Sequence, residues 1–175
     1  MRARLWLTFG FVVAAAGVMT VAWAAPPEAR HFNTHLTGGE EVPVRETKGQ
    51  GQATFKLSPD GTALDYHLNV ANIDNVVAAH IHVGAQGTNG PVVAFLFGNV
   101  PPGGGPSNGV LATGTITAAS LTGPLAGQPL SALIAEIRAG NTYVNVHTND
   151  GVDPPNTGPG DFPGGEIRGQ IGAHP

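Results

Sequence analysis

The feature that most constrains this chain is a series of short apolar runs separated by clusters of glycine and proline. Apolar side chains stand at every second position in residues 53–57 and 64–70, which is the period of a strand with one buried face. Many of the 26 glycines and 15 prolines concentrate in residues 84–91, 101–109 and 151–165. Because turn residues punctuate the apolar runs, the pattern predicts an ordered β-protein rather than a disordered chain.

The same reading along the chain predicts about eight strands and one short helix. The predicted strands cover residues 31–36, 51–57, 63–71, 76–83, 92–97, 109–117, 142–148 and 166–171. Leu130, Leu133, Ile134 and Ile137 follow helical spacing on a single face, and Gly140 is placed to end that helix. This composition predicts an all-β fold, either an antiparallel β-sandwich or a Greek-key barrel.

The N-terminus carries the pattern of a signal peptide. Arg2 and Arg4 precede an uncharged apolar run at 5–21, and the small-x-small sequence at 22–24 suits a signal peptidase. An uncleaved membrane anchor is the alternative, but the run is short for a membrane span. We therefore predict cleavage after Ala24 and export to the periplasm or the medium, with no stable membrane insertion afterwards.

Cleavage defines the expected domain organisation and the charge of the mature protein. The expected segments are a signal peptide at 1–24, a leader at 25–31, one domain at 32–171 and a tail at 172–175. Of the 8 basic residues, Arg2 and Arg4 precede the cut and all 12 acidic residues follow it, so the mature net charge is −6. A mildly acidic chain lacks the basic surface that nucleic acids need, and we expect a protein or small-ligand partner instead.

Five ordered segments carry a resemblance to a known family. They read LTGGEEVP at 36–43, AHIHVG at 79–84, GPVV at 90–93, AGNTYVNVHT at 139–148 and GGEIRGQI at 164–171. In order and spacing these segments resemble the CHRD, or chordin-type, domain, over about residues 32–171. The resemblance implies a β-fold and an exported protein, and it says less about activity.

Three histidines form the strongest candidate site. His80 and His82 are two apart on one strand and so share a face, and His147 lies on the outer face of a later strand. If the strands are neighbours, three imidazoles converge on a site for Cu(II) or Zn(II). The alternative is structural: the same histidines could hydrogen-bond the loops 84–91 and 151–165 to the sheet.

Other polar residues receive structural interpretations. Glu166 and Arg168 share a strand face and are predicted to form a cross-strand ion pair, the alternative being an outer-shell role beside the histidines. Glu40 and Glu41 are expected at the surface. The chain has no cysteine, and we find no nucleophile motif and no acid–base pair, so we assign no catalytic residue.

Two functions remain open from the sequence. The first is a non-enzymatic binding or structural module with a candidate histidine metal site. The second is a copper or zinc protein that binds its metal through His80, His82 and His147. Such a metal site could also be redox-active, with a geometry like that of superoxide dismutases. The His-x-His strand resembles that enzyme, but its remaining pattern is missing from this sequence.

Overall fold

A computed structural model describes residues 28–174, apart from 153, 155 and 157. The predicted signal peptide at 1–24, with its cleavage site, lies outside these residues. The elements are β1 His31–Thr37, β2 Gln50–Leu57, β3 Leu64–Asp74, β4 Val76–Val83, β5 Val92–Phe97, β6 Pro106–Ile116, α1 Leu130–Arg138, β7 Thr142–Thr148, β8 Ile167–Gln170 and β9 Gly172–His174. The residues expected to be a tail therefore include a short strand, β9, which pairs with β1.

The strands form one antiparallel sheet that curls into a nearly closed barrel. The order is β5-β4-β7-β8-β1-β2-β3-β6, and the two end strands, β5 and β6, contact each other. Across this seam the Tyr66 hydroxyl of β3 donates a hydrogen bond to the Leu96 carbonyl of β5, at 2.7 Å. The all-β prediction is confirmed, in its barrel form.

The barrel interior is the apolar core, and alternation along each strand fills it. Ile81, Val144 and Ile167 have no exposed surface, because every second side chain of β4, β7 and β8 points inward. The predicted helix face is buried as expected; its four residues are Leu130, Leu133, Ile134 and Ile137. Tyr66, on the apolar face predicted for residues 64–70, is half-buried and packs against the core, as does Val83.

Strand β3 continues past its predicted end because it contains a bulge. Asn72 adopts a left-handed backbone conformation with φ of 54°, and the register with β6 shifts between Val70 and Ile73. Asparagine tolerates this conformation better than most residues do, so the strand resumes pairing beyond it.

The outer face of β4, β7 and β8 is covered by loops. Segments 38–47, 84–91 and 158–165 contact it through hydrogen bonds that join Glu41 to Asn145, the Tyr143 hydroxyl to Gly90, and His147 to Pro163. These strands are therefore buried on both sides. Within the residues that the structure describes, no helix has the length and apolar character that a membrane span requires.

Candidate metal centre

Strand alternation and register bring the three candidate histidines to one place. Ile81 is fully buried in the core, so His80 and His82 on either side of it project from the outer face of β4. The adjacent strand β7 pairs with β4 so that Ala78 lies opposite His147 and His80 lies opposite Asn145. The outer face of β7 thus places His147 beside the His-x-His pair.

The three imidazoles lie within reach of a single ion. Each of His80, His82 and His147 offers a ring nitrogen, and these atoms all lie within 4.8 Å of one another. The ring centroid of His80 lies 5.7 Å from that of His82 and 4.9 Å from that of His147. His80 Nδ1 and His147 Nε2 are 3.1 Å apart. The convergence expected from the sequence is therefore present in the fold.

Backbone carbonyls of the covering loops fix two of the rings. His82 Nδ1 donates to the Gly90 carbonyl at 2.9 Å, and His147 Nδ1 donates to the Pro163 carbonyl at 3.0 Å. A carbonyl only accepts, so both histidines carry their proton on Nδ1 and present a bare lone pair at Nε2. Metal-binding histidines in proteins are oriented in the same way.

The tautomer of His80 follows from that of His147. Because His147 Nε2 is an acceptor, His80 Nδ1 must be the donor of the short contact between them, and His80 Nε2 is left bare. His80 Nε2 and His82 Nε2 are both buried, and neither has a hydrogen-bond partner. Unpaired buried acceptors of this kind are costly, on the order of 1–3 kcal/mol each.

The surroundings hold the rings neutral. Burial lowers the pKa of His80 to about 4, helped by the neighbouring His147 and His82 rings. Burial also lowers the pKa of His82, against a smaller raising effect of its bond to Gly90, and lowers that of His147. Only a neutral imidazole can bind a metal, so the site is ready for one at neutral pH without losing protons first.

Both histidine segments lie inside a region that matches a known domain. Residues 32–171 match the family model for the CHRD domain, which covers most of the chain. The chain belongs to the CHRD family. CHRD domains are typically extracellular. No curated protein matched the chain.

Tyr143 and Arg168 pack beside the histidines in this CHRD domain. The Tyr143 ring stacks on His82 with centroids 4.8 Å apart and planes 10° apart, and the Arg168 guanidinium lies 3.4 Å from the centre of the Tyr143 ring. Arg168 is only 1% exposed and donates to the carbonyls of Ala85 and Thr88. It also donates to the Asn89 side chain, so this one residue fastens the loop 84–91 over the site.

The predicted Glu166–Arg168 ion pair is wrong. The Glu166 carboxylate accepts instead from the Thr47 and Thr148 hydroxyls and from the Gly160 amide. The two side chains share a face, as predicted, but different segments of the chain supply their partners. Strand alternation could place them on one face and could not show which loop folds over each.

Glu41, expected at the surface, is instead buried against the site of the CHRD domain. It is 4% exposed, and its Oε2 lies 3.5 Å from Asn145 Nδ2, while its Oε1 has no partner. Burial raises the pKa of Glu41 to about 7, although the nearby Arg168 and Arg45 lower it. The sequence of this segment has no periodicity that could have indicated its burial.

Proposed function

We propose that this CHRD domain is an exported, non-enzymatic binding module that holds one Cu(II) or Zn(II) ion on His80, His82 and His147. The observation that carries the proposal is the convergence of three neutral imidazoles whose ring nitrogens lie within 4.8 Å of one another. Three histidine ligands leave a further coordination position for water or an external ligand.

The pairing of the ring nitrogens favours a metal over a purely structural role. A structural role accounts for Nδ1 of His82 and His147, which tie two loops to the sheet. It leaves Nε2 of His80 and of His82 buried without a donor. A metal ion supplies both lone pairs with a partner and replaces the His80 Nδ1 donor at His147 Nε2, which becomes the third ligand atom, while the Nδ1 bonds of His82 and His147 to the loops keep those rings in place.

The ligand set narrows the choice of metal. Imidazole nitrogen suits Cu(II) and Zn(II), whereas Cu(I) prefers thiolate or thioether sulfur. The chain has no cysteine, and its two methionines, Met1 and Met19, belong to the predicted signal peptide. In the residues that the structure describes, this is the single group of three such ligands. We therefore do not extend the proposal to a two-metal dismutase.

Export and the absence of a nucleic-acid partner belong to the same proposal. They rest on the N-terminal charge and hydropathy pattern, on the typical location of CHRD domains and on the acidic mature chain. We propose that the protein meets its metal after export, as a soluble chain that starts at Ala25. The intact mass of the exported protein tests the cleavage site.

Metal titration of tag-free protein tests the proposal. We expect one Cu(II) or Zn(II) per chain in a competition assay with a chelator of known affinity. The variant His82→Ala should lose at least a hundredfold in affinity, because it removes one of three ligands. The matched control is His35→Ala, which removes an exposed histidine of β1 outside the cluster and should bind like the wild type.

Two results would count against a metal site. One is wild-type protein without stoichiometric binding of either ion. The other is His35→Ala losing as much affinity as His82→Ala, which would indicate nonspecific binding by surface imidazoles.

A further inference from the structure

An asparagine on the same face as the histidines has a side-chain oxygen without a hydrogen-bond partner. Asn145 lies directly opposite His80 in the β4–β7 register, and it shares the outer face of β7 with its neighbours at two residues' distance, Tyr143 and His147. It is 3% exposed. Its Nδ2 points to Glu41, and its Oδ1 is buried with no partner.

Next to Asn145 lies a second residue with a buried acceptor atom that lacks a hydrogen-bond donor. Glu41 Oε1 is buried and unpartnered, as Asn145 Oδ1 is. Together with Nε2 of His80 and of His82, four buried acceptor atoms in this part of the molecule lack a donor. An acceptor-rich site of this kind is suited to a cation that brings its own bound water, since water can donate two hydrogen bonds.

The backbone of the covering loop comes close to Asn145 and Glu41 at a glycine. Gly165 packs on the same pair, and a Cβ there would lie 2.5 Å from the amide atoms of Asn145 and 2.8 Å from Glu41 Oε1. Its φ of 122° is a conformation that favours glycine. The backbone thus approaches the pair closely and holds Asn145 and Glu41 in contact.

We propose that Asn145 and Glu41 are positioning residues of the metal site: Asn145 Oδ1 accepts a hydrogen bond from the metal-bound water, and Glu41 orients Asn145 through its Nδ2. This inference rests on the proposed metal function. When ionised, the Glu41 carboxylate also places a negative charge near the cation, where it offsets the positive charge of the neighbouring Arg168. Both effects favour binding of the ion.

Neighbouring acidic residues provide the test. Glu41→Gln removes the buried charge and keeps the shape, while Glu40→Gln makes the same change one residue away, at an exposed position. In competition titrations with Cu(II), we expect Glu41→Gln to lose about tenfold to a hundredfold in affinity, as outer-shell variants do. Glu40→Gln should stay within about twofold of the wild type.

A spectroscopic readout separates positioning from folding. Asn145→Ala should shift the parallel hyperfine coupling of bound Cu(II) in electron paramagnetic resonance while the nitrogen splitting of the three imidazoles remains. The double variant Asn145→Asp with Glu41→Gln exchanges carboxylate and amide, preserving the charge and one hydrogen bond of the pair. It should return the affinity to within about threefold of the wild type.

The outcomes distinguish this inference from the metal proposal. If the wild type binds Cu(II), His82→Ala does not, and Glu41→Gln and Asn145→Ala bind like the wild type with an unchanged spectrum, the positioning role is overturned and the metal site stands. If the exchanged pair binds as weakly as Glu41→Gln, the role of the pair is also overturned. If the wild type binds no metal, both proposals fail.

Discussion

Strands β4, β7 and β8 carry a buried layer of side chains on each of their two faces. The two layers differ in composition and in the interactions that hold them. On the inner face, Ile81 and Val144 have no exposed surface and belong to the apolar core. On the outer face, His82, Asn145 and Arg168 are 8%, 3% and 1% exposed, respectively, and are covered by loops. The inner layer is held by apolar area and the outer one by hydrogen bonds and ring stacking.

The difference shows how a common barrel acquires a site. The hydrophobic effect has no preferred direction, so burial of the inner layer stabilises the fold but does not form a specific binding site. The outer layer pairs most of its donors and leaves several acceptors unpaired, which makes its stability depend on what binds there. The predictions below test whether the two layers are in fact separable.

The largest effect on folding should come from the inner layer. Ile134→Ala removes a buried helix side chain and should lower the free energy of unfolding by about 2–5 kcal/mol, through lost burial and the cavity left behind. Urea unfolding of the metal-free protein measures this loss. The Cu(II) affinity of the folded variant should stay within about twofold of the wild type. A variant that lost stability and metal affinity together would break the proposed separation of the layers.

A smaller loss should follow from loosening the outer layer. Arg168→Lys keeps the charge but cannot supply the planar fork that reaches the carbonyls of Ala85 and Thr88, nor stack equally well on Tyr143. We expect a loss of about 1–3 kcal/mol in unfolding free energy, because buried acceptors become unpaired. Lys56→Arg, an exposed exchange on β2, is the control and should change little. Equal effects of the two exchanges would mean that Arg168 does not fasten the loop.

The inner layer could be predicted from sequence because alternation is a local property. The period of two in β2 and β4, and the helical spacing from Leu130 to Ile137, depend only on neighbouring residues. The same property placed His80 and His82 on one outer face. Their approach to His147 could be stated only as a condition, since strand order is not written in any single strand.

The outer layer resisted prediction for a physical reason. Alternation states which side a residue takes, but not whether solvent or a loop lies on that side. The segments that bury Glu41 and Arg168 are rich in glycine and have an irregular backbone. Their sequences therefore have no hydrophobic periodicity from which this burial could be predicted. The partners of Glu166 and Arg168 likewise come from segments distant in sequence, namely β7 and the loops, so the expected ion pair was replaced by longer-range contacts.

The smallest effect, and the one most specific to the outer layer, should be a pH dependence of stability. The pKa of His80 is lowered to about 4, and those of His82 and His147 are also lowered, whereas histidine in an unfolded chain has a pKa of about 6.5. As the pH falls below 6.5 the unfolded chain therefore binds more protons than the folded one. Stability that is fully present above pH 6.5 should be lost as the pH falls towards 4.

Glu41 opposes this trend and keeps it small. Its pKa is raised to about 7 from 4.5, so the folded state binds the extra proton and stability falls as the pH rises through this interval. In chelator-treated protein, the urea midpoint should fall on acidification, less steeply in His80→Gln and more steeply in Glu41→Gln. Ile134→Ala should shift the whole curve without changing its slope, because the inner layer does not titrate. Identical slopes in all four proteins would show that the outer layer is not the pH-sensitive part of the molecule.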